Sequence, residues 1–127
     1  MKLIYNKKFL LLLLILNLIG VVLAFNTYLR DIEYHVTIGK LFVIPFFMVS
    51  VWLYLFAFII VLYMYLGKKV PEFIGSLAFV YTFVYGLGSL VFYPFFMVFV
   101  GGLTAYHTWN IFAHGFVGLQ SLLFLKV

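Results

Sequence analysis

The sequence predicts an all-α membrane protein, and three observations point to that class. Of the 127 residues, 68% are hydrophobic and only 9% are charged, whereas a soluble domain carries about 25% charged residues. The hydrophobic residues form long uncharged runs, and about 20 such residues suffice for a helix to cross a bilayer. Helices also satisfy every backbone group within lipid. We expect a single transmembrane domain over 1–127, a small bundle of about four hydrophobic helices at 9–25, 41–66, 73–85 and 90–123.

The polar residues exclude several other classes of protein. The formal net charge is +5 and eight residues are Lys or Arg, but these lie at the ends of the apolar runs, as anchors at a membrane surface do. They do not form a continuous basic stripe of the kind that would indicate a nucleic-acid partner. The chain has no Cys, which excludes a disulfide framework, a thiolate metal site, an iron–sulfur ligand and a Cys nucleophile.

The first apolar run, 9–25, is predicted to be a retained helix. Lys2, Lys7 and Lys8 before a leucine-rich run imitate a secretory signal. The run is long for a signal, however, and Asn26, Thr27 and Tyr28 make a poor cleavage site, because signal cleavage requires small residues.

Two polar segments, 27–40 and 67–72, are expected at the membrane interfaces. The first contains Arg30, Asp31, Glu33, His35 and Lys40. Between the two segments, 41–66 is uncharged and long enough to span the membrane with tilt.

The uncharged stretch from Phe73 to Leu125 must bend. As a single helix it would be about 80 Å long, far more than one bilayer. A bend at Gly86–Ser89 is our preferred prediction, giving helices 73–85 and 90–123 with Pro94 in the first turn of the second. A break at Gly101–Gly102 is the alternative and would give two ordinary spans.

His107 and His114 are the main candidates for chemistry. Their spacing of seven places them on one helix face, and an ionisable residue within a membrane span is a functional candidate. They lie about 10 Å apart along the axis, so both cannot ligate one haem iron. The alternative is that each neutral imidazole hydrogen-bonds to a neighbouring helix. Small residues nearby would admit another helix or a flat porphyrin: Gly101, Gly102, Ala105, Ala113, Gly115 and Gly118.

Two segments carry a resemblance to a known family. The run Tyr106-His107-Thr108-Trp109-Asn110, with His114 four residues later, resembles the haem-ligand helix of the large cytochrome b anchor subunit of succinate dehydrogenase, respiratory complex II. Upstream, Tyr34–Gly39 resembles the start of that family's first membrane helix, where a Gly also follows a His at a spacing of four.

The resemblance implies a role for each matching residue. His107 would be the axial ligand of a haem b iron, with the second ligand from the smaller anchor subunit. His35 and His114 would lie near the haem propionates or the ubiquinone pocket, which Trp109 and Asn110 would help to shape. The chain would be a non-catalytic or electron-transfer subunit.

The resemblance also implies partners and a location. The partners would be the iron–sulfur, flavoprotein and smaller anchor subunits, together with membrane lipid. The location would be the mitochondrial inner membrane, with a bacterial or archaeal plasma membrane as the alternative.

Other functions and one question of orientation stay open. A cofactor-free structural subunit of a respiratory complex would use its small residues for packing alone. A small transporter half is less well supported, because paired broken helices and buried acids are not evident. The positive-inside tendency predicts the lysine-rich ends inside and 27–40 outside, whereas the resemblance implies 27–40 on the matrix side.

Overall fold

The computed structural model describes residues 6–125 and contains five helices. They are α1 (Lys7–Thr37), α2 (Leu41–Phe47), α3 (Val49–Tyr65), α4 (Glu72–Gly101) and α5 (Ala105–Phe124). Within 6–125 no residue lies in a strand. The all-α class is confirmed, but the predicted helix boundaries need three corrections.

The first correction concerns α1, which continues well past the predicted end at residue 25. The polar segment 27–40 is helical as far as Thr37, because polarity marks where a helix leaves lipid and not where it ends. No Gly or Pro follows Gly20 until Gly39. Gly39 adopts a φ of 71°, and the Lys40 N–H then donates to the His35 carbonyl at 2.9 Å, closing the helix with a left-handed cap.

The second correction concerns 41–66, which forms two helices. α2 and α3 meet at Met48 with a bend of 65°. The bend is tied by the Trp52 indole N–H, which donates to the Pro45 carbonyl at 2.6 Å. α3 ends at Tyr65. Gly67, two residues later, adopts a φ of 65°, so α3 is closed by the same kind of left-handed cap as α1.

The third correction is that the preferred break at Gly86–Ser89 is wrong. α4 runs unbroken through these residues, so the predicted helices 73–85 and 90–123 are not separate and Pro94 lies in a helix interior. The turn falls at Gly101–Gly102, the alternative position. Gly102 adopts φ 66° and ψ 175°, a conformation essentially restricted to Gly.

The position of this turn has a physical reason. A break in the middle of a span would leave backbone groups unsatisfied in lipid. α4 instead contains two π-helical stretches, Tyr81–Leu87 and Met97–Gly101, which keep a modified ladder of hydrogen bonds. Beyond the turn, Thr104 begins α5 by accepting a hydrogen bond from the His107 N–H at 3.1 Å.

The lengths and apolar composition of the helices indicate a membrane protein. α1 and α4 are each long and apolar enough to span a bilayer, and α2 with α3 makes a third candidate if the bent pair counts as one span. α5 has 20 residues, but its polar side chains lower its hydropathy. Three of these, Asn110, Gln120 and Ser121, are buried within the bundle.

Two helix pairs form most of the packing, α1 with α3 and α4 with α5. α1 buries one stripe, in which Gly20 lies directly against the ring of Tyr54 of α3. α4 and α5 meet at Gly86 and Gly118, where a Cβ on either glycine would overlap the backbone of the other helix. The small-residue face of α5 at Gly115 and Gly118 is therefore covered by α4 of the same chain.

A buried pair of amides joins α1 to α5. Asn17 donates to Gln120 at 2.9 Å, and Gln120 donates back to Asn17 at 3.0 Å. Asn17 is 0% exposed and Gln120 is 3% exposed. Each amide therefore satisfies the other where water is excluded, which fixes the first helix against the last.

We predict that a single change in this pair costs more stability than the double change. Asn17→Leu or Gln120→Leu leaves one buried amide unpaired and should lower the free energy of unfolding by about 1–3 kcal/mol. The double variant removes both polar groups and should recover most of that loss. The free energy of unfolding of the two single variants and the double variant can be measured in mixed micelles with a denaturing detergent. Asn26→Leu, on the exposed face of α1, is the matched control. Additive losses in the double variant would contradict the pairing.

Candidate functional site

Three helices contribute to one polar chain of side chains. Tyr28 of α1 donates from its hydroxyl to Ser50 Oγ of α3 at 3.3 Å. Ser50 Oγ lies 3.0 Å from His114 Nε2 of α5. The His114 tautomer decides which of these two atoms donates. These three side chains place a phenol, an alcohol and an imidazole in contact within a mostly apolar bundle.

Two clefts adjoin this polar chain, and Tyr28, Ser50 and His114 line both. One, called here the His114 cleft, has a volume of about 310 Å³ and lies among α1, α3 and α5. The other has about 360 Å³ and extends towards α4 at Tyr93. Both volumes fall at the lower end of the range for small-molecule sites. The His114 cleft is also lined by Thr27, Asp31, Tyr54, Tyr106, Trp109 and Asn110.

The walls of the His114 cleft are held by hydrogen bonds to the backbone. The Tyr54 hydroxyl donates to the Ala113 carbonyl at 2.8 Å, which fixes α3 against α5. Asn110 donates from Nδ2 to the Tyr106 carbonyl one turn back, at 2.9 Å. Trp109 is 63% exposed and offers a flat aromatic face to whatever occupies the cleft. Trp109 and Asn110 therefore line the cleft that also borders His114.

Asp31 is a lining residue that sequence reasoning missed. It is exposed and follows Tyr28 by three positions on the same helix. Asp31 and His114 therefore line the same cleft. The spacing of Tyr28 and Asp31 is the signal that was available, but it has meaning only if α1 continues through 27–40.

Ser50 and Tyr54 were also missed. They lie within 41–66, an uncharged run that sequence reasoning predicted only as a membrane span. Their spacing of four places both on the same face of α3. Ser50 is a hydroxyl in an otherwise apolar run, which is a usable signal once α5 is known to lie opposite.

His107 lies outside the His114 cleft, among aromatic rings. Its ring is 5.1 Å from Phe96, 5.7 Å from Tyr106 and 5.9 Å from Tyr93, measured between ring centroids. Tyr93 is also 6.2 Å from His114, so one tyrosine ring contacts both histidines. His107 Nδ1 is buried and has no hydrogen-bond partner among residues 6–125, which leaves a polar atom to be explained.

His35 is also outside the His114 cleft. Its Nδ1 lies 2.7 Å from the Asp31 carbonyl, and its ring packs 4.8 Å from Phe47. Phe47 in turn lies 5.9 Å from Tyr28. One aromatic ring thus separates His35 from the polar chain, and the structure does not bring His35 and His114 into direct contact.

A comparison of the chain with protein-family models, with curated proteins and with solved structures finds no match. Within residues 6–125, no three His, Asp or Glu side chains come together as a metal site. A haem requires fewer ligands, and His107 can supply one, because it is half-buried and its Nδ1 has no other partner. His114 is directed to Ser50, so a second axial ligand would come from another chain.

The arrangement suits a small neutral ligand better than an ion. Hydroxyl, phenol and imidazole groups can exchange protons and can hydrogen-bond to a carbonyl oxygen. Trp109 and Tyr106 provide flat apolar surfaces for a ring. Asp31 provides an exposed carboxylate at the edge of the same cleft.

We predict that the His114 cleft can be reached by a small reagent. Because the chain has no Cys, Ser50→Cys introduces a single thiol at the cleft wall, and it should react with a small membrane-permeant maleimide. Ser121→Cys should stay unmodified, since Ser121 is 0% exposed. Mass spectrometry of the labelled chain measures both reactions. Equal labelling of the two variants would show that the bundle opens more than this packing allows.

Proposed function

We propose that this chain is a membrane anchor subunit of a succinate dehydrogenase-type respiratory complex and that it binds ubiquinone in the His114 cleft. One observation carries the proposal. The polar chain of Tyr28, Ser50 and His114 borders a cleft that Trp109 lines. Independently of that geometry, the resemblance of 106–114 to the cytochrome b anchor points to the same helix, α5.

The chemistry of a quinone head group matches the cleft. A quinone is a flat ring with two carbonyl oxygens, so it requires hydrogen-bond donors and apolar walls. Tyr28, Ser50 and His114 all line the cleft, and Tyr28 donates a hydrogen bond to Ser50. Trp109 and Tyr106 cover the ring. The isoprenoid tail of ubiquinone would continue into lipid.

The proposed reaction balances with an external electron donor. Reduction of the quinone takes up two electrons and two protons and yields the quinol. An iron–sulfur centre of a partner subunit would supply the electrons, which the flavoprotein subunit would take from succinate. The protons reach the carbonyl oxygens from the hydroxyl and imidazole groups, and Asp31 at the exposed edge replaces them from water.

The proposal fixes which end of the bundle meets the soluble subunits. Asp31 and the turn at Gly101–Gly102 lie at one end, whereas Lys7 and Lys68 lie at the other. The iron–sulfur and flavoprotein subunits would dock on the first end, which in the mitochondrial inner membrane would be the matrix side. In a bacterial or archaeal plasma membrane it would be the cytoplasmic side. The smaller anchor subunit would cover part of the exposed apolar surface of α4.

Haem b is a second element of the proposal, supported by the unpartnered Nδ1 of His107. His107 would hold the haem from the edge of the bundle, and the smaller anchor subunit would give the second ligand. When bound, the haem supplies a one-electron relay. The Tyr93 and Phe96 rings would exclude water from this side.

A cofactor-free structural subunit is the competing candidate. It is favoured by the exposed apolar surfaces, which include Val91, Phe95 and Val98 of α4. In that case the Ser50–His114 contact would only join two helices. The two candidates differ in what the loss of that contact does to quinone reduction.

We predict that Ser50→Ala lowers quinone reduction without affecting succinate oxidation at the flavoprotein. Loss of one hydrogen bond should reduce kcat/KM for quinone about two- to tenfold, and His114→Ala should reduce it at least as much. Succinate-dependent dye reduction at the flavoprotein should be unchanged. Ser121→Ala, which removes a buried hydroxyl that lines neither cleft at His114, is the matched control. Normal quinone reduction in both cleft variants would favour the structural subunit.

A separate prediction concerns haem. In the purified complex, His107→Ala should abolish the b-type absorbance in the reduced-minus-oxidised spectrum, because an axial bond holds the iron. His114→Ala should keep the haem and change only its midpoint potential. An unaltered spectrum in His107→Ala would remove the ligand assignment. Absence of b-type absorbance in the native complex would remove haem from the proposal.

A further inference from the structure

Four of the five lysines among residues 6–125 lie at the end of the bundle that is opposite to the His114 cleft, and the fifth, Lys40, follows α1 at the other end. Lys7 and Lys8 begin α1, and Lys68 and Lys69 follow α3. The two sites are neighbours in space, because Lys7 Nζ lies 5.6 Å from the centre of the Tyr65 ring at the end of α3. Glu72 is the only acid at this end among residues 6–125.

A cleft of about 520 Å³ opens at this basic end, among α3, α4 and the end of α5. Its polar lining includes Lys69, Glu72 and Ser76. Its apolar lining includes Ile60 of α3, Phe79 of α4 and Phe124 of α5. A lipid site has two parts. It needs charged groups near the membrane interface and an apolar channel that leads away from them.

We propose that this cleft binds an anionic phospholipid. The phosphate lies at Lys69, with Lys68 beside it, and one acyl chain follows the apolar lining past Phe79 and Phe124. Basic pockets between membrane helices recognise anionic head groups in this way. The site does not depend on the proposed quinone function, since it lies at the other end of the bundle and shares no lining residue with the His114 cleft.

The charge balance selects the head group. Lys7, Lys8, Lys68 and Lys69 outnumber Glu72, so the local field attracts a net negative charge. Glu72 is a lining carboxylate and keeps the phosphate on the Lys69 side. A head group that carries an ammonium would use Glu72 instead, and it is therefore the rival that the test must separate.

The test measures lipid selectivity of the full chain with the subunits that copurify with it. Spin-labelled phosphatidylglycerol, phosphatidylethanolamine and phosphatidylcholine are added to proteoliposomes of unlabelled phosphatidylcholine, and the motionally restricted fraction is read by electron paramagnetic resonance. Phosphatidylglycerol should be preferred over both others. Lys69→Gln should reduce that preference about fivefold, the effect of one lysine near a membrane surface.

Two matched variants complete the design. Lys40→Gln removes the same charge at the opposite end of α1 and should leave the preference intact. Glu72→Gln should leave or strengthen it. Equal binding of phosphatidylglycerol and phosphatidylcholine, or equal effects of Lys69→Gln and Lys40→Gln, would overturn the proposal. A preference for phosphatidylethanolamine that Glu72→Gln abolishes would also overturn it, in favour of the ammonium head group.

Discussion

The amide pair of Asn17 and Gln120 is the interaction on which the arrangement of the bundle depends. Apolar packing between helices gains little in lipid, because lipid tails are as apolar as the side chains. Paired amides are different, since each would be unsatisfied if the helices separated. The two bonds hold α5 across α1 at a fixed height along both helices. That height brings His114 level with Tyr28 and Ser50.

The two glycines at the crossing of α4 and α5 complete this arrangement. At Gly86 and Gly118 the two helices approach so closely that a Cβ on either glycine would overlap the backbone of the other helix. Close approach explains why Tyr93 reaches both histidines of α5 from the neighbouring helix. The amide pair and the glycine pair lie on different faces of α5, so the helix is fixed from two directions. Ala113, which lines the cleft, shares the helix face of Gln120 seven residues later.

Sequence reasoning predicted the class of fold because run length and charge content decide it directly. The family resemblance grouped Trp109, Asn110 and His114 at one pocket, and all three line the His114 cleft. Sequence reasoning placed the turn wrongly, because Gly86 and Gly88 viewed in isolation indicate a flexible segment. In the structure Gly86 is instead needed for backbone contact with α5, which the local sequence cannot reveal. Asp31, Ser50 and Tyr54 were missed for the same reason. Each gains its meaning from a residue on another helix, at a distance along the chain that no local pattern encodes.

The π-helical stretch at Tyr81–Leu87 has a consequence for how this chain tolerates insertion and deletion. A π turn accommodates one residue more than the α-helical turn it replaces. Removing one residue within the stretch would let α4 rewind as a regular α-helix, and the residues beyond it would keep nearly the same orientation. The same deletion in a regular α-helical segment would rotate everything beyond it by about 100° and turn Tyr93 away from His107 and His114. The π-helical stretch therefore lets α4 hold one additional residue without loss of the aromatic contacts at the far end of the helix.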